Sequence, residues 1–222
     1  MASLGAKANS AAVGLWPSYA RGGLWLHSRA VPALTHEAKF LANPFALSPW
    51  SKTSEGKRRL RVVVETGRGG RNQLAFDPGL GTFRLENVLP EGLSFPYDLG
   101  FVPSTRADDG GPLGVVVLMD EPAVTGVVVE CQPIGVVQGE RHRGKKWVRD
   151  DRLVAVALPS HRFGDLQHID DLAPGVLGEL DRFFVAAHAA GDARFRVVGS
   201  KGPGKSWRVI ERAARSWRKR SD

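Results

Sequence analysis

A chain of 222 residues, 42% of them hydrophobic, can bury one substantial core and is too apolar to be disordered throughout. The 31 Lys and Arg outnumber the 23 Asp and Glu, and the resulting net charge of +8 favours anionic partners. No run approaches the roughly 18 consecutive apolar residues of a membrane span, so no membrane partner is expected.

Residues 1–46 form a zone rich in Ala, Ser and Gly, in which Glu37 is the only acid. Its composition suits a disordered extension, an arm that packs Trp16 and Trp25 on the body, or a transit peptide. Without a transit peptide the expected location is cytoplasmic; with one, an organelle. Residues 47–200 read as a β-rich domain. The runs Leu60–Val64, Thr82–Leu85, Leu113–Met119, Val127–Val137 and Leu153–Leu158 are apolar or β-branched, and Gly, Pro and Asp punctuate them. Many short, closely spaced strands predict a closed barrel. Cys131, the only cysteine, lies in one of these runs and reads as a buried structural thiol.

The spacing of Val176, Leu177, Leu180, Phe183, Phe184 and Ala187 predicts a helix, with Pro174 in its first turn and Asp170 and Asp171 at its positive end. A strand over Arg194–Val198 and a Gly-Pro-Gly turn at 202–204 precede a last helix over about 205–219. In that basic segment, 201–222, Trp207, Ile210, Ala214 and Trp217 share a face opposite Arg208, Arg212, Arg215 and Arg218. The helix either packs on the domain or extends from it.

Ala107-Asp-Asp-Gly-Gly-Pro-Leu-Gly-Val115 carries the most specific signal. It resembles the Asp-Gly-Asp-Pro-Leu-Asp signature of the soluble, family I inorganic pyrophosphatases. Val62–Glu65, Tyr97–Pro103, Val117–Pro122, Cys131–Val137, Asp151–Ala157, His168–Leu172 and Phe183-Phe184 follow the family order and spacing. The resemblance implies a mainly β fold with flanking helices, built on a five-stranded OB-type closed barrel. It also implies Mg2+-dependent hydrolysis of pyrophosphate to two phosphates and a homo-oligomer.

Carried over residue by residue, the resemblance makes Glu65, Asp109 and Asp150 the remaining metal carboxylates, and Arg152 and Arg71 phosphate-binding cations. It also exposes losses. Gly111 stands where the aspartate that accepts the proton of the attacking water belongs, and Gly114 where a metal-bridging aspartate belongs. Gln73-Leu74-Ala75 replaces Lys-Tyr-Glu, Asn87 an arginine, Phe95 and Leu99 two tyrosines, and Ala187-His188 a Tyr-Lys pair. His142, His168 and His188 show no metal spacing and read as surface or packing residues.

Three readings follow. The first is a catalytically degenerate family member whose cavity, near Arg68, Arg71, Arg152, Lys145 and Lys146, takes pyrophosphate or another phosphate-containing anion without metal. The second is an active diphosphatase with altered metal preference, using Glu65, Asp109, Asp150 and Asp151. The third is a nucleic-acid or polyanion module that uses the basic last helix and the loop Arg141–Trp147.

Overall fold

The computed structural model describes residues 44–190 and 193–221. Trp16, Trp25 and the rest of the N-terminal zone through residue 43 lie outside the described residues. Ten strands and two α-helices follow: β1 (Trp50–Lys52), β2 (Arg58–Thr66), β3 (Asn72–Asp77), β4 (Thr82–Val88), β5 (Asp98–Val102), β6 (Leu113–Leu118), β7 (Val128–Arg143), β8 (Lys146–Arg149), β9 (Arg152–Ala157), α1 (Val176–Ala189), β10 (Phe195–Lys201) and α2 (Pro203–Ser221).

The expected five-stranded barrel is present, with closure partial. Strands β2, β5, β6, β9 and β7 pair in that order, and β7 returns to β2 through Leu60↔Cys131 to Val63↔Val128. All of these pairings are antiparallel except β6 with β9. The alternation of β6 and β9 explains the packing. Val115, Val117, Leu153 and Ala155 join one buried cluster with Val209, Ile210 and Ala213 of α2, and Val116, Leu118, Val154 and Val156 join another with Leu180, Phe183 and Phe184 of α1. Cys131 is fully buried within the first cluster.

Hairpin β3–β4 forms a separate two-stranded sheet whose turn is held by Asp77, with Oδ1 accepting from the amides of Gly79 and Leu80. The Arg141–Trp147 loop is the β7–β8 hairpin, with Gly144 at φ 60 in its turn.

Two helix starts differ from expectation. Gly175, in the left-handed region at φ 93, caps α1, leaving Pro174 outside it. Asp170 and Asp171 instead belong to a short 3-10 turn, Ile169–Asp171. Asp171 accepts the amides of Gln167 and His168, and the His168 ring accepts that of Asp170. This reciprocal cap uses the two acids before the helix begins. At the other helix, Pro203 and Gly204 are the first residues of α2 rather than a turn before it. That suits proline, whose missing N–H has no helical partner in the first turn. α2 packs on the body: Val209, Ile210, Ala213 and Ala214 are buried, and Arg58 of β2 stacks on Trp207 and pairs with Glu211 at 2.6 Å.

Candidate active site

A cavity of about 400 Å³ lies between the barrel and the β3–β4 hairpin. Strand irregularity aims one of its acids. The β2–β5 register shifts between Val64 and Thr66, so Glu65 occupies a bulge, and bulges redirect side chains. Glu65 is half-buried, and Oε1 accepts the Phe76 amide at 3.4 Å. Burial pushes its carboxyl up to about 7; the Phe76 amide offsets part of the rise, Glu86 adds to it and Arg152 lowers it. Gly100, opposite Val64 on β5, is required by sterics, since a Cβ there would run into the Val63 carbonyl.

The signature segment supplies the next wall. Gly110, at φ 92, turns the chain, its amide donates to the Ala107 carbonyl, and Asp109 Oδ1 accepts the Gly111 amide at 3.1 Å. The other carboxylate oxygen accepts from Arg141 at 2.9 Å. A Cβ on Gly111 would rest in ordinary contact 3.6 Å from Asp109. Gly114 differs. It lies directly opposite Arg152 in the β6–β9 pairing, and a Cβ there would come within 2.9 Å of Arg152 Cδ. Arg152 thus fills the space into which a side chain at 114 would project.

Arg152 is itself engaged, because its guanidinium donates to Asp150 Oδ1. Asp150 is buried and is not part of the cavity wall. Its Oδ2 lies 3.6 Å from Arg141 Nε and 3.5 Å from His188 Nε2. Burial acts to raise this carboxyl, but Arg152, His188 and Arg141 together hold it below the ordinary carboxylate range. Arg141 therefore links Asp109 to Asp150, and Arg152 links Asp150 to the cavity. His188 adds its ring, with Nδ1 2.7 Å from the Phe184 carbonyl and a face stacked on Phe195.

The sequence-derived residues separate into two groups. Glu65, Asp109, Gly111, Gly114 and Arg152 line one cavity, as do Gln73, Leu74, Ala75, Phe95 and Leu99. Asp150 lies behind that wall. Arg71 does not line it; Nε and Nη2 both donate to the Leu89 carbonyl, tying two loops. Arg68 donates to the Asp120 carbonyl, Asp151 pairs with Arg149 at 2.6 Å, and Lys145 and Lys146 are exposed at the hairpin turn. Arg152 is the only cation among the described residues of the cavity wall, which also carries Glu65, Glu86 and Asp109. Glu86 and Arg141 were not singled out from sequence for this site; for Arg141 the available signal was its place in the basic loop Arg141–Trp147.

The family model described as inorganic pyrophosphatase matches residues 62–218. The inorganic pyrophosphatase of Thermus thermophilus is 38% identical over 125 residues, which cover 56% of this chain and 69% of the relative. That of Nostoc sp. is 36% identical over 129 residues, 56% and 72% of the two chains. A crystal structure of the Thermus thermophilus enzyme superimposes with a TM-score of 0.71 at 30% identity, covering 80% of this chain and 99% of that one. The Helicobacter pylori enzyme gives 0.65 at 27% identity, covering 72% and 94%.

Proposed function

Because this chain belongs to the inorganic pyrophosphatase family, whose activity is inorganic diphosphatase, we propose that it is a member that has lost ordinary magnesium-dependent hydrolysis while keeping the fold and the cavity. One observation carries the reading: two positions where the family pattern has carboxylates are glycines, and two carboxylates that remain are paired with arginines. Gly111 and Gly114 offer no side-chain donor, Arg152 fills the space beside Gly114, and Asp109 and Asp150 are paired with Arg141 and Arg152. Among the described residues, no three His, Cys, Asp or Glu side chains converge as a cation site. The residues present do not fit a magnesium cluster.

The anion clamp is reduced as well. Gln73, Leu74, Phe95 and Leu99 line the cavity where the family pattern has Lys and Tyr side chains. Losing one preorganised electrostatic contact typically costs about 10²–10³ in rate, and groups that act as a unit fail together. A metal-free phosphate site is also weaker than the sequence suggested, because Arg152 is committed to Asp150 and Arg68, Arg71, Lys145 and Lys146 do not line the cavity. The reading is completed by a cytoplasmic homo-oligomer. Among the described residues, no helix is long and apolar enough to cross a membrane.

Phosphate release from pyrophosphate with Mg2+ or Mn2+ tests this directly. The expected result is no metal-dependent release above that of the Glu65→Ala, Asp109→Ala double variant. Release that the double variant abolishes overturns the reading in favour of an active enzyme with altered metal use, which the retained cavity carboxylates Glu65, Glu86 and Asp109 favour. Restoration adds a second test. Gly111→Asp with Gly114→Asp should bind Mg2+ poorly in calorimetry while Arg141 and Arg152 remain, and more tightly once Arg141→Ala frees Asp109.

A further inference from the structure

The cavity pairs its positive charge internally, whereas α2 carries positive charge that is mostly unpaired. Residues 203–221 hold seven Lys and Arg against one acid, Glu211, and so supply +6 of the chain's +8. Glu211 pairs with Arg58 on the body. Lys205, Arg208, Arg212, Arg215 and Lys219 recur at three- and four-residue steps, which places them in one row along the helix. Arg212 pairs with Asp108 at 3.0 Å; Lys205, Arg208, Arg215, Arg218 and Lys219 have no carboxylate partner among the described residues. The opposite face, Val209, Ile210, Ala213 and Ala214, is buried, so the row is held on a fixed support.

We propose that this face of α2 is a sequence-independent docking surface for nucleic acid, bound through its phosphates. The row spans about 21 Å at 1.5 Å per residue, roughly the length of six base pairs at 3.4 Å each. Guanidinium forks match phosphate oxygens bidentately. A lipid surface fits less well. Among the described side chains of α2 the exposed ones are Gly204, Arg208, Arg212, Arg215, Ser216, Arg218 and Lys219, and the helix has already buried the apolar side that would enter a bilayer. Two alternative nucleic-acid surfaces are less suitable. The cavity wall carries three acids against Arg152, and in the β7–β8 hairpin Arg141 and Arg143 donate to Asp109. The surface is independent of whether the cavity hydrolyses pyrophosphate.

The test is fluorescence anisotropy of the full chain with a labelled 20-base-pair duplex, titrated from 50 to 200 mM salt. Four phosphate contacts imply a slope of log affinity on log salt of about −3.6, an affinity loss on the order of a hundredfold across that range. A quadruple variant, Arg208→Gln, Arg215→Gln, Arg218→Gln and Lys219→Gln, should lower affinity at least about tenfold at 50 mM and flatten the slope, with an unchanged circular dichroism spectrum. Lys145→Gln with Lys146→Gln at the exposed hairpin turn should leave both nearly unchanged. The proposal is overturned by no binding at 50 mM, by an unaffected quadruple variant, by loss in the hairpin variant alone, or by binding to phosphatidylserine vesicles but not to the duplex.

Discussion

Behind and beside the cavity, Arg141, Arg149 and Arg152 are ion-paired with Asp109, Asp151 and Asp150. On α2, Arg208, Arg215 and Arg218 face solvent with no such partner among the described residues. The first group neutralises acids in and behind the cavity wall; the second adds charge that the fold does not pair. Burial accounts for the contrast. A charge removed from water must be matched inside, whereas an exposed arginine costs the fold little. Composition alone, at +8, cannot distinguish the two groups.

The strongest way to break the comparison is Asp150→Asn. The carboxylate is almost wholly buried, with Arg152, Arg141 and His188 directed at it. Removing one partner of a buried pair typically costs about 3–5 kcal/mol, and the partial exposure of both arginines points to the lower end, about 3 kcal/mol. Equilibrium urea unfolding measures this. A loss below about 1 kcal/mol would mean that the network is not holding the cavity wall together.

Glu65 sharpens the same side of the comparison, because its pairing is incomplete. Its carboxyl is raised from 4.5 to about 7 in the fold, so between these values the folded chain holds a proton that the unfolded chain has released. Stability therefore falls as pH rises through that window and levels off above it. The full shift corresponds to at most about 3 kcal/mol, and contact with solvent in the cavity reduces the expected fall to about 1 kcal/mol. Glu65→Gln should remove the fall and leave the variant more stable than the parent at pH 8. A parallel pH profile for the two proteins would show that the cavity does not desolvate this acid.

How much of this could be read in the sequence depended on chain distance. β2, β4, β6, β7 and β9 announce themselves as apolar or β-branched runs. β5, by contrast, was visible only as the Tyr97–Pro103 block, because Gly100 and Asp98 interrupt its run. β3 was missed because Asn72-Gln-Leu-Ala-Phe-Asp77 lacks clean alternation, although the hairpin pairs it with β4. In the cavity, substitution at fixed spacing made Gly111 and Gly114 legible. The ion-pair network was not, since Asp109 and Arg141 lie 32 positions apart and only the pairing of β6 and β7 on either side of β9 brings them together. His188 read as a surface or packing residue; it stacks on Phe195, and its Nε2 also reaches to within 3.5 Å of Asp150.

The smallest effect carries the opposite sign and tests the α2 side. Arg208 lies near the positive end of the helix dipole, three residues after Lys205 and four before Arg212, and its one acidic neighbour on the helix, Glu211, is held by Arg58. Like charges at these spacings destabilise a helix by about 0.2–0.5 kcal/mol per pair, and a cation in this position gains nothing from the dipole. Arg208→Gln should therefore stabilise the chain by about 0.5 kcal/mol at low ionic strength, and the gain should vanish near 0.5 M salt, where charges a few ångströms apart are screened. Thermal unfolding at the two salt concentrations reads this out. A destabilised variant would mean that Arg208 makes a contact the fold needs, and α2 would then resemble the cavity network. A stabilised variant that also binds the duplex more weakly would show a residue that the fold carries at a cost and a partner uses.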